Sequence, residues 1–247
     1  DYAERREIRQ ARGETLQASV WGSEAGNCSR KIGFRLADIA ETNPAPATGM
    51  LAFWVGDQMH FMIQAEMVAA YPNARAEVRW EHRGVSGRAD AVYESPENGL
   101  VATEIKSMAP YAFEKAVLSQ YGKPAEGPDG DHIVQAAMGA VALGAKWIHL
   151  VYANKAAKYN LYPIAEWILP VDEDMVELEF QRLEAVAAAV KDGQAVRAIW
   201  HGSEIGDPKA MKWPCGYCRY LDICVRAGAS AELAGVRVLR EGMRHAG

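Results

Sequence analysis

The segment VSGRADAVYESPENGLVATEIKS, residues 85–107, is predicted to form a β-hairpin. Its centre, residues 95–99, is a run of turn formers, and both flanks are rich in Val, Ala, Tyr, Thr and Ile, which suit strands. A turn centred on Glu97 places Asp90 roughly opposite Glu104. Directly opposed residues of a strand pair project from the same face with Cβ atoms about 5 Å apart. The sequence therefore predicts a hairpin on which two carboxylates converge.

Lys106 is predicted to share the face of Glu104, because strand side chains alternate and Thr103 and Ile105 point the other way. Two opposed carboxylates repel each other, but a divalent cation between them makes the pair favourable, since Mg²⁺ prefers hard oxygen ligands. A neighbouring lysine can orient a water or stabilise developing negative charge. A solvated strand face with an ordinary Glu and Lys two residues apart is the alternative interpretation.

The composition is typical of an intracellular globular protein, and we expect a cytoplasmic location. The chain of 247 residues is 49% hydrophobic, which suffices for one large domain or two small ones. No run approaches the roughly 18 consecutive apolar residues of a membrane span, and the charged first residues do not resemble a signal peptide. The net charge of −5 gives no overall attraction to DNA. Contact with DNA would therefore depend on local basic patches such as Arg30, Lys31 and Arg35.

Regular patterns also surround the hairpin on its N-terminal side. Residues 50–71 predict a long amphipathic or buried helix with an apolar stripe formed by Leu51, Val55, Met59, Met62, Ile63 and Met67. His60 lies on the flank of that stripe, where a single histidine is more often structural than a ligand. Residues 74–83 alternate like a strand that leads into the hairpin. Glu77 within this strand is interpreted as an exposed strand glutamate, with a further acidic contribution to the site as the alternative.

The chain after the hairpin predicts a helix and a strand pair. Asp131 is expected to cap a helix over residues 132–143, on which Gln135 is the polar exception among apolar and small side chains. Residues 147–152 and 159–164 predict two paired strands. This succession of strands and helices favours an α/β fold.

The four cysteines have the spacing of a metal cluster. Three of them lie in WPCGYCRYLDIC, residues 213–224, with two and then five residues between them. An intracellular chain makes disulfides unfavourable, whereas closely spaced thiolates bind a metal or an iron–sulfur cluster. Zinc sites usually contain two close pairs, so the uneven spacing favours a [4Fe–4S] cluster over an all-cysteine zinc site. The four predicted ligands are Cys28, Cys215, Cys218 and Cys224.

The chain resembles the iron–sulfur branch of the RecB-like PD-(D/E)xK nucleases, which includes CRISPR-adaptation and phage-encoded members. The resemblance rests on residues that occur in the expected order, namely Cys28, His60, Asp90, Glu104-Ile105-Lys106, Gln135 and then Cys215, Cys218 and Cys224. The resemblance spans nearly the whole chain. It implies a restriction-endonuclease-like α/β fold, in which helices flank a mixed central sheet and the four-cysteine cluster joins the N- and C-terminal segments. A single nuclease domain is expected over residues 1–247. It would comprise a helical N-terminal part (1–72), the nuclease core (73–170) and a helical C-terminal part with the cluster motif (171–247).

The resemblance also implies roles for individual residues. Asp90 and Glu104 would ligate Mg²⁺ or Mn²⁺, with His60 and the carbonyl of Ile105 as further ligands. Lys106 would position and help to activate the attacking water.

Gln135 would correspond to the glutamine of the family's Gln-x3-Tyr motif, but the tyrosine position is Gly139 in this chain. The implied reaction is metal-assisted hydrolysis of DNA by an exonuclease that acts on single strands or ends in recombination, replication or repair. The cluster would be structural. Two alternatives stay open: a non-catalytic DNA-binding or assembly subunit that keeps the fold, and a zinc-stapled endonuclease.

Overall fold

The computed structural model describes residues 19–44, 47–71, 73–118, 124–156, 163–194, 196 and 215–226. Among these residues no helix has both the length and the apolar character needed to cross a membrane.

A six-stranded mixed sheet forms the centre of the described chain. Its strands are β1 (Val20–Trp21), β2 (Arg75–His82), β3 (Val85–Ser95), β4 (Gly99–Met108), β5 (Trp147–Asn154) and β6 (Ile164–Pro170). The order is β1-β3-β4-β5-β6, and β2 also pairs with β3. The β1–β3 and β4–β5 pairs are parallel and the others are antiparallel. The predicted mixed sheet is confirmed.

The predicted hairpin is formed by β3 and β4. Their antiparallel ladder starts beside the turn, where Ser95 faces Gly99, so the turn is centred on Glu97 as predicted. Gly99 has a φ of +67°, a conformation that glycine adopts without strain. Asp90 and Glu104 are the residues that follow the last pair of this ladder on the two strands. The local turn chemistry therefore fixed the register that brings the two carboxylates together.

Helices cover both faces of the sheet, as predicted. They are α1 (Ser29–Leu36), α2 (Ala47–Ala70), α3 (Pro110–Val117), α4 (Gly130–Leu143), α5 (Glu173–Lys191) and α6 (Leu221–Arg226), with 3-10 turns at Gly22–Glu24 and Cys215–Tyr217. The main core lies between the sheet and the α4–α5 layer and includes Ala137, Met138, Ile148, Leu150, Phe180 and Leu183. On the other face, Met67 of α2 packs against Ala91, Tyr93 and Val101.

The α4 helix begins at Gly130, and its N-cap is Asp129 rather than the predicted Asp131. The Asp129 side chain accepts a hydrogen bond from the backbone N–H of Asp131 at 2.9 Å. Two aspartates lie within three positions at the start of this helix, and the first has the extended backbone that an N-cap requires. The small buried residues Ala136, Ala137, Gly139 and Ala140 bring the helix close to the sheet.

The predicted helix is present, but its apolar stripe is buried only in part. Met67 is buried, but Leu51 and Met62 are 60% and 66% exposed, and Val55 is also exposed. The helix is apolar on nearly every side, so its periodicity does not identify the face that contacts the sheet. Of the stripe, Met67 and the partly buried Ile63 therefore pack in the core.

The second predicted strand after the hairpin has different bounds in the structure. The β6 strand runs from Ile164 to Pro170 and pairs antiparallel with β5. It thus starts where the prediction ended, and residues 159–162 lie outside the described chain. The backbone N–H of Asn154 donates to the carbonyl of Pro163 at 2.8 Å, which extends the contact between the two segments beyond the ladder.

The N-terminal and C-terminal parts of the described chain meet at one corner. They share a small apolar cluster formed by Phe34, Ile39, Tyr220 and Ile223. Arg219 Nη1 donates to Glu41 Oε1 at 2.9 Å, and the Arg219 carbonyl accepts from the backbone of Thr42 and Asn43. These contacts join the segment after α1 to the segment that carries three of the cysteines. That residues 1–247 form a single domain stays a prediction.

Candidate active site

Four elements bring five of the predicted site residues to one cavity. The β3–β4 hairpin contributes three of them, α2 contributes one and α4 contributes one, and they are His60, Asp90, Glu104, Lys106 and Gln135. The cavity has a volume of about 1140 Å³. Residues that lie 75 positions apart in the sequence therefore face a common space.

Glu104, Lys106 and Gln135 form a closed triangle of polar contacts. Lys106 Nζ lies 2.7 Å from Glu104 Oε1 and donates to Gln135 Oε1 at 2.8 Å. Gln135 Nε2 donates to the same Glu104 oxygen at 2.7 Å. The amide therefore accepts from the ammonium and donates to the carboxylate, so each charge has a partner. This arrangement fixes the direction in which the lysine points.

Asp90 is held on both of its carboxylate oxygens. Its Oδ2 accepts from the backbone N–H of Ile105 at 2.7 Å, and its Oδ1 lies 3.6 Å from His60 Nδ1. Burial alone would lower the pKa of His60, but the interaction with the nearby Asp90 carboxylate outweighs it, so this pKa is raised. The negative charges of the hairpin thus stabilise the protonated form of His60.

Glu104 lies in an environment that disfavours its charge. Its pKa is raised to about 7, mainly by burial and further by the nearby Asp90, while Lys106 acts in the opposite direction. Two buried carboxylates at one place are costly unless a cation compensates them. The site therefore has the electrostatic character of a cation-binding site.

The donor atoms fit a hard divalent cation, although they do not form a finished coordination sphere. In the part of the chain that the structure describes, no group of three or more His, Cys, Asp or Glu side chains is arranged to hold a metal ion. The fit therefore rests on the chemistry of the side chains: two carboxylates and an imidazole line one cavity, and the charge of Glu104 is destabilised.

A second layer of residues supports Asp90. Gln64 lies one helical turn after His60, is buried, and donates from Nε2 to the Asp90 carbonyl at 3.1 Å and to Glu77 Oε1 at 2.6 Å. Glu77 has a φ of +57° within β2 and forms an ion pair with Arg88 at 2.5 Å. Such a conformation is rare for a residue other than glycine and is found at functional sites. Sequence reasoning missed Gln64, for which its spacing of four residues from His60 was the available signal.

The glycine at position 139 has a structural reason. A Cβ atom added to Gly139 would lie 3.1 Å from Nε1 of Trp80, whose indole occupies the adjacent space. The same indole packs against Gly22 and Gly87, where added Cβ atoms would come within 2.4 and 2.3 Å of it. Trp80 therefore fills the volume in which a larger side chain on this face of α4 would have to fit.

The four cysteines lie at the corner where α1 meets the C-terminal segment, and all are partly buried free thiols. Burial raises the pKa of Cys215, Cys218 and Cys224, and the neighbouring Cys28 raises each of them further. Arg30 Nη1 lies 3.6 Å from Cys224 Sγ and opposes the shift there. The structure thus brings the four thiols into one region. Within the described ranges, however, they form no group ready to hold a metal.

Comparison with known proteins gives a likeness of fold. The sequence matches no protein-family model and no curated protein. The crystal structure of an alkaline exonuclease from Laribacter hongkongensis, LHK-Exo, superposes with a TM-score of 0.50 and 14% identity over 70% of this chain and 88% of that chain. The fold is similar to that of an alkaline exonuclease.

Two further structures superpose with lower TM-scores. LHK-Exo in complex with dAMP gives a TM-score of 0.45 at 14% identity, over 70% of this chain and 88% of that chain. The protein SSO0001 gives 0.47 at 18% identity, over 85% and 87%. At these identities the likeness concerns the fold and not individual residues.

Proposed function

We propose that this chain is a metal-dependent deoxyribonuclease that hydrolyses phosphodiester bonds at DNA ends or in single strands. One observation carries the proposal: Glu104, Lys106 and Gln135 are joined by hydrogen bonds beside Asp90 and His60, on the wall of a single cavity. The similarity of the fold to that of an alkaline exonuclease supports it. We further propose that the chain belongs to the RecB-like PD-(D/E)xK nucleases.

The metal would be Mg²⁺ or Mn²⁺. It would be held by the side chains of Asp90, Glu104 and His60 and by the carbonyl of Ile105. Burial and the nearby Asp90 raise the pKa of Glu104 to about 7, and the positive charge of the cation would offset this destabilisation of the carboxylate. When bound, the cation supplies charge stabilisation at the phosphate and an activated water.

Lys106 would position the attacking water or a phosphate oxygen. An ammonium group has three N–H donors, and Glu104 and Gln135 engage two of them. The remaining donor is available on the cavity side, where the lysine side chain is 21% exposed. Its charge also stabilises the negative charge that develops on the phosphate. Gln135 acts as a positioning residue, because it contacts the two charged groups and holds them in register.

For the corner at which the four cysteines lie, we propose a structural [4Fe–4S] cluster. Its ligands would be Cys28, Cys215, Cys218 and Cys224. It is supported by the two-then-five spacing, by the partial burial of all four thiols and by the electrostatic influence of Cys28 on the other three. Such a cluster would clamp α1 to the C-terminal segment and carry no redox role. An all-cysteine zinc site would do the same.

The test is cleavage of end-labelled single-stranded, double-stranded and circular DNA with Mg²⁺ or Mn²⁺ by anaerobically purified protein. We expect metal-dependent degradation of linear DNA that disappears in Lys106→Ala and Asp90→Ala. Lys146→Ala, which changes a lysine that is 74% exposed and lies outside the cavity, should cut like the wild type. Cleavage of circles would indicate an endonuclease. DNA binding without any cleavage by the wild type would favour the non-catalytic subunit instead.

A further inference from the structure

We infer that the cavity extends from the catalytic residues into a subsite for a single DNA strand, in which a base stacks on Trp21 and phosphates contact Arg79 and Arg88. This inference rests on the proposed nuclease function and specifies how the substrate strand approaches the site.

The cavity connects the two places directly. Trp21, Arg79 and Arg88 line the same cavity as Asp90 and Glu104.

Trp21 of β1 pairs with Ser86 of β3, and Arg88 lies between Ser86 and Asp90 on the same strand. At about 3.3 Å per strand residue, the four residues from Ser86 to Asp90 span about 13 Å. Stacked nucleotides rise about 3.4 Å each along a strand. A strand with a phosphate at Asp90 therefore reaches Trp21 within about four nucleotides.

Trp21 has the properties of a rigid stacking platform. The residue is 44% exposed, and the Arg35 guanidinium lies over its ring at 4.0 Å from the centroid. Glu24 fixes Arg35 through contacts of 2.6 and 2.5 Å, and the Trp21 backbone N–H donates to Glu24 at 3.0 Å. The indole is therefore ordered before a ligand arrives, which lowers the entropic cost of binding. Exposed, ordered aromatic rings are the groups on which unpaired bases stack.

Two arginines lie between the indole and the carboxylates. Arg79 and Arg88 are direct partners in the β2–β3 ladder, and both are exposed. Like charges directly opposite each other are unfavourable unless anions compensate them. Glu77 pairs with Arg88, whereas Arg79 makes no ion pair with any residue in the described part of the chain. A phosphate would compensate both guanidinium groups, for which arginine geometry is well suited.

The combination favours a single strand over the interior of a duplex. In a duplex, neighbouring bases cover both faces of each base, so none is available to an indole. An unpaired strand exposes its base faces and its phosphates together. The cavity offers an aromatic ring and a guanidinium pair about two strand residues apart, which matches that alternation of groups.

The first test is an abasic scan. Binding of a fluorescent single-stranded oligonucleotide is measured by anisotropy without added divalent cation, and each nucleotide in turn is replaced by an abasic one. In the wild type we expect one position, within about four nucleotides of the cleaved bond, to lose about 5- to 150-fold in affinity. In Trp21→Ala the intact strand should bind that much more weakly, and the same abasic replacement should have no further effect.

Matched controls separate stacking from misfolding. Trp21→Phe keeps an aromatic ring and should restore most of the affinity. Trp54→Ala removes a tryptophan that is 73% exposed but lies outside the cavity, and it should bind like the wild type. A general loss of folded protein would weaken binding of the intact and the abasic strand alike. It would not remove the effect of the abasic replacement, as loss of stacking on Trp21 does.

The arginines are tested through the salt dependence of binding. Each phosphate contact to a single strand contributes about 0.7 to the slope of log K against log salt. Arg79→Gln should reduce the slope by about that amount. Arg75→Gln, on the same strand but outside the cavity, should not change it.

The outcomes distinguish the subsite from the nuclease. If the wild type cuts single strands but the abasic scan is flat and Trp21→Ala binds normally, the subsite is overturned while the nuclease proposal stands. If the wild type neither binds nor cuts DNA, both are overturned.

Discussion

Gln135 of α4 donates a hydrogen bond of 2.7 Å to Glu104 Oε1 of β4, across the junction between helix and sheet. The other atom of the same amide accepts from Lys106. One neutral side chain therefore determines the relative position of a carboxylate and an ammonium that are two residues apart on a strand. This explains why a polar residue occurs on an otherwise apolar helix face.

Replacing this amide should impair catalysis without unfolding the protein. In Gln135→Leu, which keeps the size but removes both hydrogen bonds, we expect kcat to fall about 10- to 100-fold, the usual effect of losing such a supporting contact. Steady-state cleavage of a linear oligonucleotide measures it. Gln181→Leu, at an exposed position of α5, is the control and should retain full activity. Equal activity of the two variants would show that Gln135 does not position Lys106.

Gln64 is expected to contribute to both stability and metal binding. Gln64→Leu leaves the Asp90 carbonyl and Glu77 without the buried donor they share, which costs about 1–3 kcal/mol in the free energy of unfolding. Urea denaturation measures this, and calorimetric titration with Mn²⁺ should show weaker binding. Gln58→Leu, at an exposed position of the same helix, should change neither quantity. A stable Gln64→Leu with unchanged Mn²⁺ affinity would contradict the supporting role.

Gly139 should tolerate a methyl group but not an aromatic ring. In Gly139→Ala the gain of about 1 kcal/mol in helix propensity is offset by the 3.1 Å approach to Trp80, so the free energy of unfolding should change little. Gly139→Tyr should lose about 1–3 kcal/mol through overpacking. If Trp80 is the obstacle, Trp80→Ala with Gly139→Tyr will be more stable than the sum of the single effects predicts. Strict additivity in urea unfolding would rule out this contact as the cause.

Acidification should destabilise the protein through His132. Burial, and then the neighbouring Lys106, lower its pKa from 6.5 to about 4. Between these values the unfolded chain binds a proton that the folded chain does not, so the free energy of unfolding falls as pH decreases from 6.5 to 4. The loss is at most about 3 kcal/mol for this group. His149, whose pKa burial also lowers, acts in the same direction.

The measurement is urea unfolding at intervals between pH 8 and pH 4. In His132→Gln the decline over this range should be smaller than in the wild type by about the contribution of one histidine. Parallel pH profiles for the two proteins would show that folding does not lower the pKa of His132.

The four cysteines at the corner between α1 and the C-terminal segment are expected to bind a metal that stabilises the fold. Anaerobically purified protein should be brown and contain about four iron atoms per chain. Cys218→Ser should lower both the iron content and the melting temperature, because the link between α1 and the C-terminal segment is weakened. One zinc ion per chain and a colourless protein would favour the zinc alternative. Absence of both metals from the wild type would refute the cluster.

The parts of the site that sequence reasoning could predict depend on local chemistry. Residues 95–99 specify the turn, and the period of two then places Asp90 beside Glu104 without any knowledge of the rest of the chain. The proximity of His60 and Gln135 followed from the family resemblance, since no local pattern brings them to the hairpin.

The remaining features depend on long-range packing. The positive φ of Glu77 has no sequence signal, because residues other than glycine adopt it only when their surroundings impose it. The indole of Trp80 against Gly139 joins residues that no periodicity relates. The α2 helix is apolar on all sides, so the exposure of Leu51 and Met62 could not be read from its pattern.

The corner that joins α1 to the C-terminal segment can form only after both segments have been synthesised. Cys224 follows its neighbour Arg30 by 194 residues, and a ribosome adding roughly 5–20 residues per second needs roughly 10 to 40 s to cover that distance. Throughout that interval Phe34 and Ile39 lack the aromatic and aliphatic partners that cover them in the finished protein. Closing so long a loop is slow. Phe34 and Ile39 of the nascent chain therefore lack these partners until α6 has emerged.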